Sequence, residues 1–203
     1  MFQRTLASAL IVVALSLFTA FAAPQAKPSS QSAMKKQFAA MTDKASPLAE
    51  QHKLLDAFVG EFDQTTTVAM GPGEPMKVHS LAKGQRIIDG RFVKFESASA
   101  PDEELKGERM LVYGYDPVQK KFTLWNIESG SSVPTTATGD YDAAAKTFTF
   151  AGEREQPGAG KVPFRWVMKL DDGGNIAQTI QMKFPGAPDY ATVVTVQHTR
   201  KKK

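Results

Sequence analysis

Three histidines, some carboxylate pairs and a few serine- and glycine-rich segments are the parts of this 203-residue chain whose types could do chemistry. His52, His79 and His198 lie far apart, and no two have a metal-ligand spacing such as H-x-x-x-H. No metal site is expected. The chain has no cysteine, so disulfides, thiolate metal sites and cysteine nucleophiles are excluded. Glu128-Ser129-Gly130-Ser131-Ser132 lacks the G-x-S-x-G form and a neighbouring histidine, and reads as a turn. The pairs Glu103-Glu104, Asp171-Asp172 and Glu153-x-Glu155 sit among turn residues, where solvated charge accounts for them. Gly71-Pro72-Gly73 and Gly158-Ala159-Gly160 lack the Lys-Ser/Thr ending and following helix of a phosphate loop. No catalytic residue and no cofactor is assigned. His52 is expected to hydrogen-bond across a helix junction, and His198 to face solvent or a rim.

What remains is a set of apolar faces with a period of two. Phe164, Trp166, Met168 and Leu170 form one, and Ile176, Ile180, Met182 and Phe184 another. Trp125, Ile127, Phe148 and Phe150 extend them in the matching register. Core packing alone produces such stripes. Two features point beyond packing: Met168 and Met182 have flexible side chains that suit an adaptable pocket, and Gln178 is polar on an otherwise apolar face, so it needs a partner. Trp125, Phe150, Trp166, Met168, Gln178, Ile180 and Met182 are therefore the expected lining of a cavity for a small apolar or amphipathic ligand.

These faces belong to strands that a single helix introduces. Ser46-Pro47 supplies a capping hydroxyl and a first-turn proline. Leu48, His52, Leu55 and Val59 then recur at helical spacing, with Leu54 and Phe58 widening the stripe, and Gly60 ends it. From Gly60 the period becomes two. Strands are expected at 62–68, 76–84, 85–95, 110–115, 122–128, 135–141, 147–152, 164–170, 176–184 and 190–199, joined by turns such as Asp89-Gly90 and Asp171-Asp172-Gly173-Gly174. With about nine or ten strands in short succession and no helix for a crossover, the sheet should be antiparallel. Closure would remove its edges. The expected fold is mainly β: a single antiparallel up-and-down barrel whose opening helix, carrying Phe58, covers one end.

The ends of the chain carry their own signals. Arg4, the apolar run Leu6–Phe18 and Ala20-Phe21-Ala22 read as an export signal over 1–22, cleaved after Ala22, for a periplasmic or secreted protein. The competing reading keeps this segment as an anchor, since Thr5–Ala23 is uncharged and could just span a bilayer. Residues 23–45 read as a flexible linker with a nascent helix around Met34–Met41, 46–200 as the barrel, and 201–203 as a basic tail. Lys+Arg total 25 and Asp+Glu 21, for a net +4. Without the signal the chain carries +3, and without Arg200–Lys203 as well, −1. The excess positive charge is terminal, so nucleic acid is not an expected partner.

The run His52-Lys53-Leu54-Leu55-Asp56-Ala57-Phe58-Val59-Gly60-Glu61-Phe62 resembles the helix-into-strand entry of a bacterial family, domain of unknown function 1579, whose pattern is H-x-x-L followed by G-x-W. Gly114-Tyr115-Asp116 with Trp125, Gly139-Asp140-Tyr141-Asp142, Gly152-Glu153, Gly160-Lys161-Val162-Pro163, Arg165 and Arg200 continue the resemblance over roughly residues 47–200. It implies a lipocalin-like, calycin-type barrel and no assigned activity. It also implies closure by Phe62, which stands where the pattern has Trp, packed under Arg200 in a cation–π contact, with His52, Phe58 and Gly60 at the same end. The reading is a non-enzymatic exported barrel that binds a small ligand. Its alternatives are an envelope interaction module with a filled barrel, and, more remotely, a haem-binding barrel of the nitrobindin class using His198, or an enzyme.

Overall fold

The computed structural model describes residues 31–45, 48–69, 73–156, 158 and 160–202. The segment read as an export signal, the Ser46-Pro47 cap and Gly71-Pro72 lie outside the described residues. The chain divides into two units at Pro47/Leu48. In the first, α1 spans Gln31–Ala45, longer than the helix expected within the linker, and its side chains from Gln31 to Ala40 are exposed. No helix among the described residues is long and apolar enough to cross a membrane.

The second unit opens with a 3₁₀ helix, Glu50–Phe58, and continues as ten strands. These are β1 (Gly60–Val68), β2 (Met76–Ile87), β3 (Phe92–Ser99), β4 (Glu108–Asp116) and β5 (Lys121–Glu128), followed by β6 (Ser131–Asp142), β7 (Thr147–Gln156), β8 (Gly160–Leu170), β9 (Ile176–Met182) and β10 (Ala191–Arg200). Each strand pairs antiparallel with the next, and β10 pairs with β1, so the sheet is a closed up-and-down barrel. Gln85–Ile87 prolong β2 instead of opening a new strand, and the turn at Asp89-Gly90 leads into β3. Phe184 lies beyond the end of β9 and is exposed.

The helix departs from the expected geometry in a way that accounts for which residues it buries. His52, Leu55 and Phe58 are buried, a spacing of three. A 3₁₀ helix has three residues per turn, so these side chains eclipse one another along one narrow face. An α-helix would have spread the stripe over Leu48 and Val59. Instead Leu48 is 53% exposed, and Leu54 and Val59 only pack against the core from its margin. At about 2.0 Å per residue, nine residues reach about 18 Å, enough to cross a barrel end.

Runs of 3₁₀ helix this long are uncommon, and two arginines hold this one. Arg86 donates from Nη2 to the His52 carbonyl (2.7 Å), and from Nε and Nη2 to Asp56 Oδ1 (2.9 and 2.7 Å). Arg200 donates from Nη2 to the Ala57 carbonyl (2.7 Å) and from Nη1 to the Val59 carbonyl. The orphan carbonyls of the helix end thus meet a cation, which the helix dipole also favours. His52 behaves differently from expectation. Its Nδ1 accepts from the Ala49 N–H within its own helix (3.0 Å), while only its carbonyl and its ring edge, 5.6 Å from Tyr115, reach the barrel. Gly60, at φ +130°, turns the chain from helix to β1, and a side chain there would strike Arg200. Gly84 on β2 lies against the helix end so closely that a Cβ would overlap the Phe58 carbonyl.

Two outcomes follow from this docking. Phe58→Ala removes a fully buried ring and should cost about 3–5 kcal/mol, whereas Lys53→Ala touches only an exposed pair with Glu50 and should stay within about 0.5 kcal/mol. Equal small shifts in melting temperature would show that the helix is not seated. Gly84→Ala should destabilise at least as much as Phe58→Ala although it adds a single methyl group, because backbone must move to admit it; an unchanged Tm in thermal unfolding would refute the close approach.

Candidate functional site

The barrel interior has two halves of different chemistry. Next to the helix it is filled with rings. Phe58 stacks on Tyr113 with centroids 4.1 Å apart, Phe148 lies 5.1 Å from Phe58, and Phe62 packs 5.5 Å from Phe95. The Tyr113 hydroxyl, which burial holds well above its ordinary pKa, points at Met168 Sδ (3.8 Å). Arg200 lies over the Phe62 ring at 4.6 Å, so the phenylalanine makes the closing contact that the resemblance implied.

Phe150, Trp166, Met168, Ile180 and Met182 all face inward and are buried in this core. Trp125 does not join them. Phe122, Leu124 and Asn126 take the inward positions of β5, so the intervening Trp125 faces outward between Val112 and Thr136 and is 37% exposed. A period of two allows no compromise: one residue of register decides the face. None of the seven expected lining residues lines the pocket at the barrel mouth, and Trp125 lines a different concavity with Val112 and Thr136.

Between the halves lies a polar bridge. His198 is 2% exposed and faces the interior, not a rim. Its Nδ1 accepts from Gln64 Nε2 (2.8 Å) and its Nε2–H donates to Gln178 Oε1 (2.9 Å). This arrangement needs a neutral ring. Burial, and secondarily the positive charge of Arg109, pushes the His198 pKa down to about 4. Both ring nitrogens are hydrogen-bonded to glutamine side chains. Gln178 thus finds its partner in His198, although its buried Nε2 has no partner among the described residues.

Above Gln64 the barrel opens. A pocket of about 300 Å³ occupies this mouth, walled by Thr66, Ser80, Ser97 and Ser99, with Val78 and Val196 as its apolar surface. Arg109 and Glu128, opposite each other on β4 and β5, also line it. Arg109 donates from Nε to Glu128 Oε2 (3.1 Å), its Nη2 lies 2.9 Å from the same oxygen, and its guanidinium is 5.9 Å from the Trp166 ring. Arg154 on β7 places Nη2 3.9 Å from Glu128 Oε1. Two further buried atoms have no partner among the described residues, Asn126 Oδ1 and Arg154 Nε, the latter in a cleft beside this pocket.

A larger concavity, about 670 Å³, lies mainly on the outer surface of β1–β5, includes Leu81, Ala98, Met110 and Ile127, and shares Ser97, Glu108, Arg109, Glu128 and Ser129 with the mouth. Charged groups at its margin pair with protein neighbours, Lys83 with Glu61 and Lys201 with Asp63. The unsatisfied buried atoms lie on inward-facing side chains instead, one of them on Arg154 in the cleft beside the mouth, and the mouth with that cleft is the candidate site. Among the described residues no three His, Asp or Glu side chains are grouped to hold a metal ion. Sequence reasoning missed Arg109, Glu128 and Arg154. The signal that singled out Gln178 was present for Arg109, a polar residue sharing inward parity with Leu111 and Tyr113.

The buried histidine makes a definite pH prediction. Its folded pKa of about 4 lies below the ordinary 6.5, so between these values the unfolded chain binds a proton that the folded chain refuses. Its contribution is complete above pH 6.5 and is lost as pH falls, by about 3 kcal/mol once below 4. Denaturant unfolding at pH 7, 5.5 and 4.5 should show a smaller loss in His198→Gln than in the unaltered protein. Identical pH slopes would place the histidine outside the core.

Solved structures share this architecture at low sequence identity. Rv2717c from M. tuberculosis matches with a TM-score of 0.58 at 12% identity, covering 76% of this chain and 99% of that one. The S-type phycobiliprotein lyase CPES from Guillardia theta matches with a TM-score of 0.53 at 11% identity, covering 77% and 95%. At such identities the likeness is one of fold. No curated protein matches the sequence. The family model described as protein of unknown function (DUF1579) matches residues 47–200, the whole of the barrel from the plug helix to Arg200, and the chain therefore belongs to that family.

Proposed function

We propose that this protein is a binding barrel whose ligand, a small amphipathic molecule, sits in the open mouth. The observation that carries the reading is the contrast between the two ends. The helix end is filled with aromatic rings, while the mouth keeps a pocket of about 300 Å³ walled by hydroxyls and the Arg109–Glu128 pair. That volume is at the small end of the about 300–1,000 Å³ usual for small-molecule sites. An apolar ligand would strip water from these groups without replacing its hydrogen bonds. A molecule with one polar end satisfies them and sets its apolar part against Val78 and Val196.

A binding role without catalysis is supported by the occupied nitrogens of His198 and by Glu128 being engaged by Arg109. Export is supported by residues 1–22 and places this binding outside the cytoplasm. The likeness to a lyase carries no substrate over to this chain.

Fluorescence titration with 1-anilinonaphthalene-8-sulfonate, an anionic amphiphile, tests the location. Ser80→Phe, at a position that lines the mouth and not the outer concavity, should weaken binding at least tenfold, while Leu81→Gln in the outer concavity should leave it unchanged. The opposite pattern would move the site to the outer surface and overturn the reading.

A further inference from the structure

The charges of the mouth do not balance. Among the inward-facing side chains two guanidinium groups, Arg109 and Arg154, face one carboxylate, Glu128, while Glu108 lines the mouth from the exposed alternate position of β4. Arg109 engages Glu128 Oε2 through both Nε and Nη2. Arg154 reaches only to 3.9 Å from Oε1, beyond hydrogen-bonding range. Its Nε is buried with no partner among the described residues. The side chain as a whole is 32% exposed, so the guanidinium is enclosed at Nε and open to an incoming partner elsewhere.

The surroundings of Arg154 show where that partner would come from. The pairing of β6 with β7 stops at Thr138 and Ala151, short of the mouth. A cleft of about 250 Å³ opens beyond this point, lined by Thr135, Arg154, Lys161, Glu153 and Glu155 among others. Arg154 pairs in register with Val162, which is fully buried, so it shares the inward parity, and Glu153 and Glu155 take the alternate face. Asn126, the neighbour of Thr135 across β5–β6, contributes a buried Oδ1 that lacks a donor.

Resting on the mouth as the ligand site, we propose that the bound molecule is an organic acid whose carboxylate pairs with Arg154. The argument is one of charge and shape. The excess is a single positive charge, which a monoanion neutralises and a dianionic phosphate would overshoot. The Arg154 guanidinium, held only by the 3.9 Å approach of its Nη2 to Glu128, is a planar fork that matches two carboxylate oxygens side by side. Glu128 excludes a second anion from the Arg109 side and so fixes the head group at Arg154.

Isothermal titration of the full chain with octanoate, octanol and octyl phosphate tests this. Octanoate should bind at least tenfold more tightly than octanol and more tightly than octyl phosphate. Arg154→Gln should abolish the octanoate preference over octanol, and Arg154→Lys, which keeps the charge without the fork, should retain only part of it. Equal affinities for octanoate and octanol, both blocked by Ser80→Phe, would overturn the acid assignment and leave the amphiphile site standing. Tighter binding of octyl phosphate would overturn the monoanion. Binding of any of the three that Ser80→Phe fails to block would overturn the mouth itself. If Arg154→Gln does not fold, the preference of the unaltered chain and of Arg154→Lys decides.

Discussion

The rest of this barrel depends on the Arg200 guanidinium. It stands at the last position of the last strand, opposite Phe62 on the first, so its backbone helps to close the sheet. Its side chain then turns inward over the Phe62 ring and donates to the carbonyls of Ala57, Val59 and Gly174. One side chain thus joins β1, the turn before β9 and the end of the plug helix. Hydrogen bonds from a charged donor contribute about 1.5–3 kcal/mol each, comparable with burying a large apolar side chain. The phenylalanine at 62 preserves a cation–π contact with a smaller ring, and the carbonyl bonds do not depend on the ring at all.

Closing one end decides the character of the other. Leu55 and Phe58 fill the space above the helix and order an aromatic layer through Tyr113, Phe148 and Phe150. With that half dry, the polar groups of the interior collect toward the mouth, where water or a ligand can reach them. Gln64, His198 and Gln178 mark the boundary. Their mutual bonds require a neutral imidazole, which burial among rings enforces. A buried unsatisfied polar atom costs about 1–3 kcal/mol. Asn126, Arg154 and Gln178 each carry one, a burden set against the stability of the aromatic half and concentrated toward the candidate site.

Much of the fold was legible because strand periodicity is local. Alternation located ten strands, and turns such as Asp89-Gly90 marked hairpins without any knowledge of partners. The Phe62–Arg200 contact came from resemblance, since nothing in either residue alone points to the other across most of the chain. The helix was legible in place but not in pitch. His52, Leu55 and Phe58 fit both a 3.6- and a 3.0-residue turn, and Arg86, Arg200 and the close-approaching Gly84 select the tighter one. The candidate site was least legible. Sequence reasoning sought a cavity in apolar residues, and those residues fill the core.

By itself, the sequence determined the class of the fold, the order of its strands and the single helix at its entrance, because these follow from period, turn residues and the absence of a crossover helix. Which face each strand turns inward, and how far the interior fills, were decided only by the tertiary structure. A register set by neighbouring strands sent Trp125 outward, brought His198 inward between two glutamines, and gathered Arg109, Glu128 and Arg154 from three strands around one mouth. Those residues are separated along the chain, and their chemistry depends on distances that closure of the barrel alone creates.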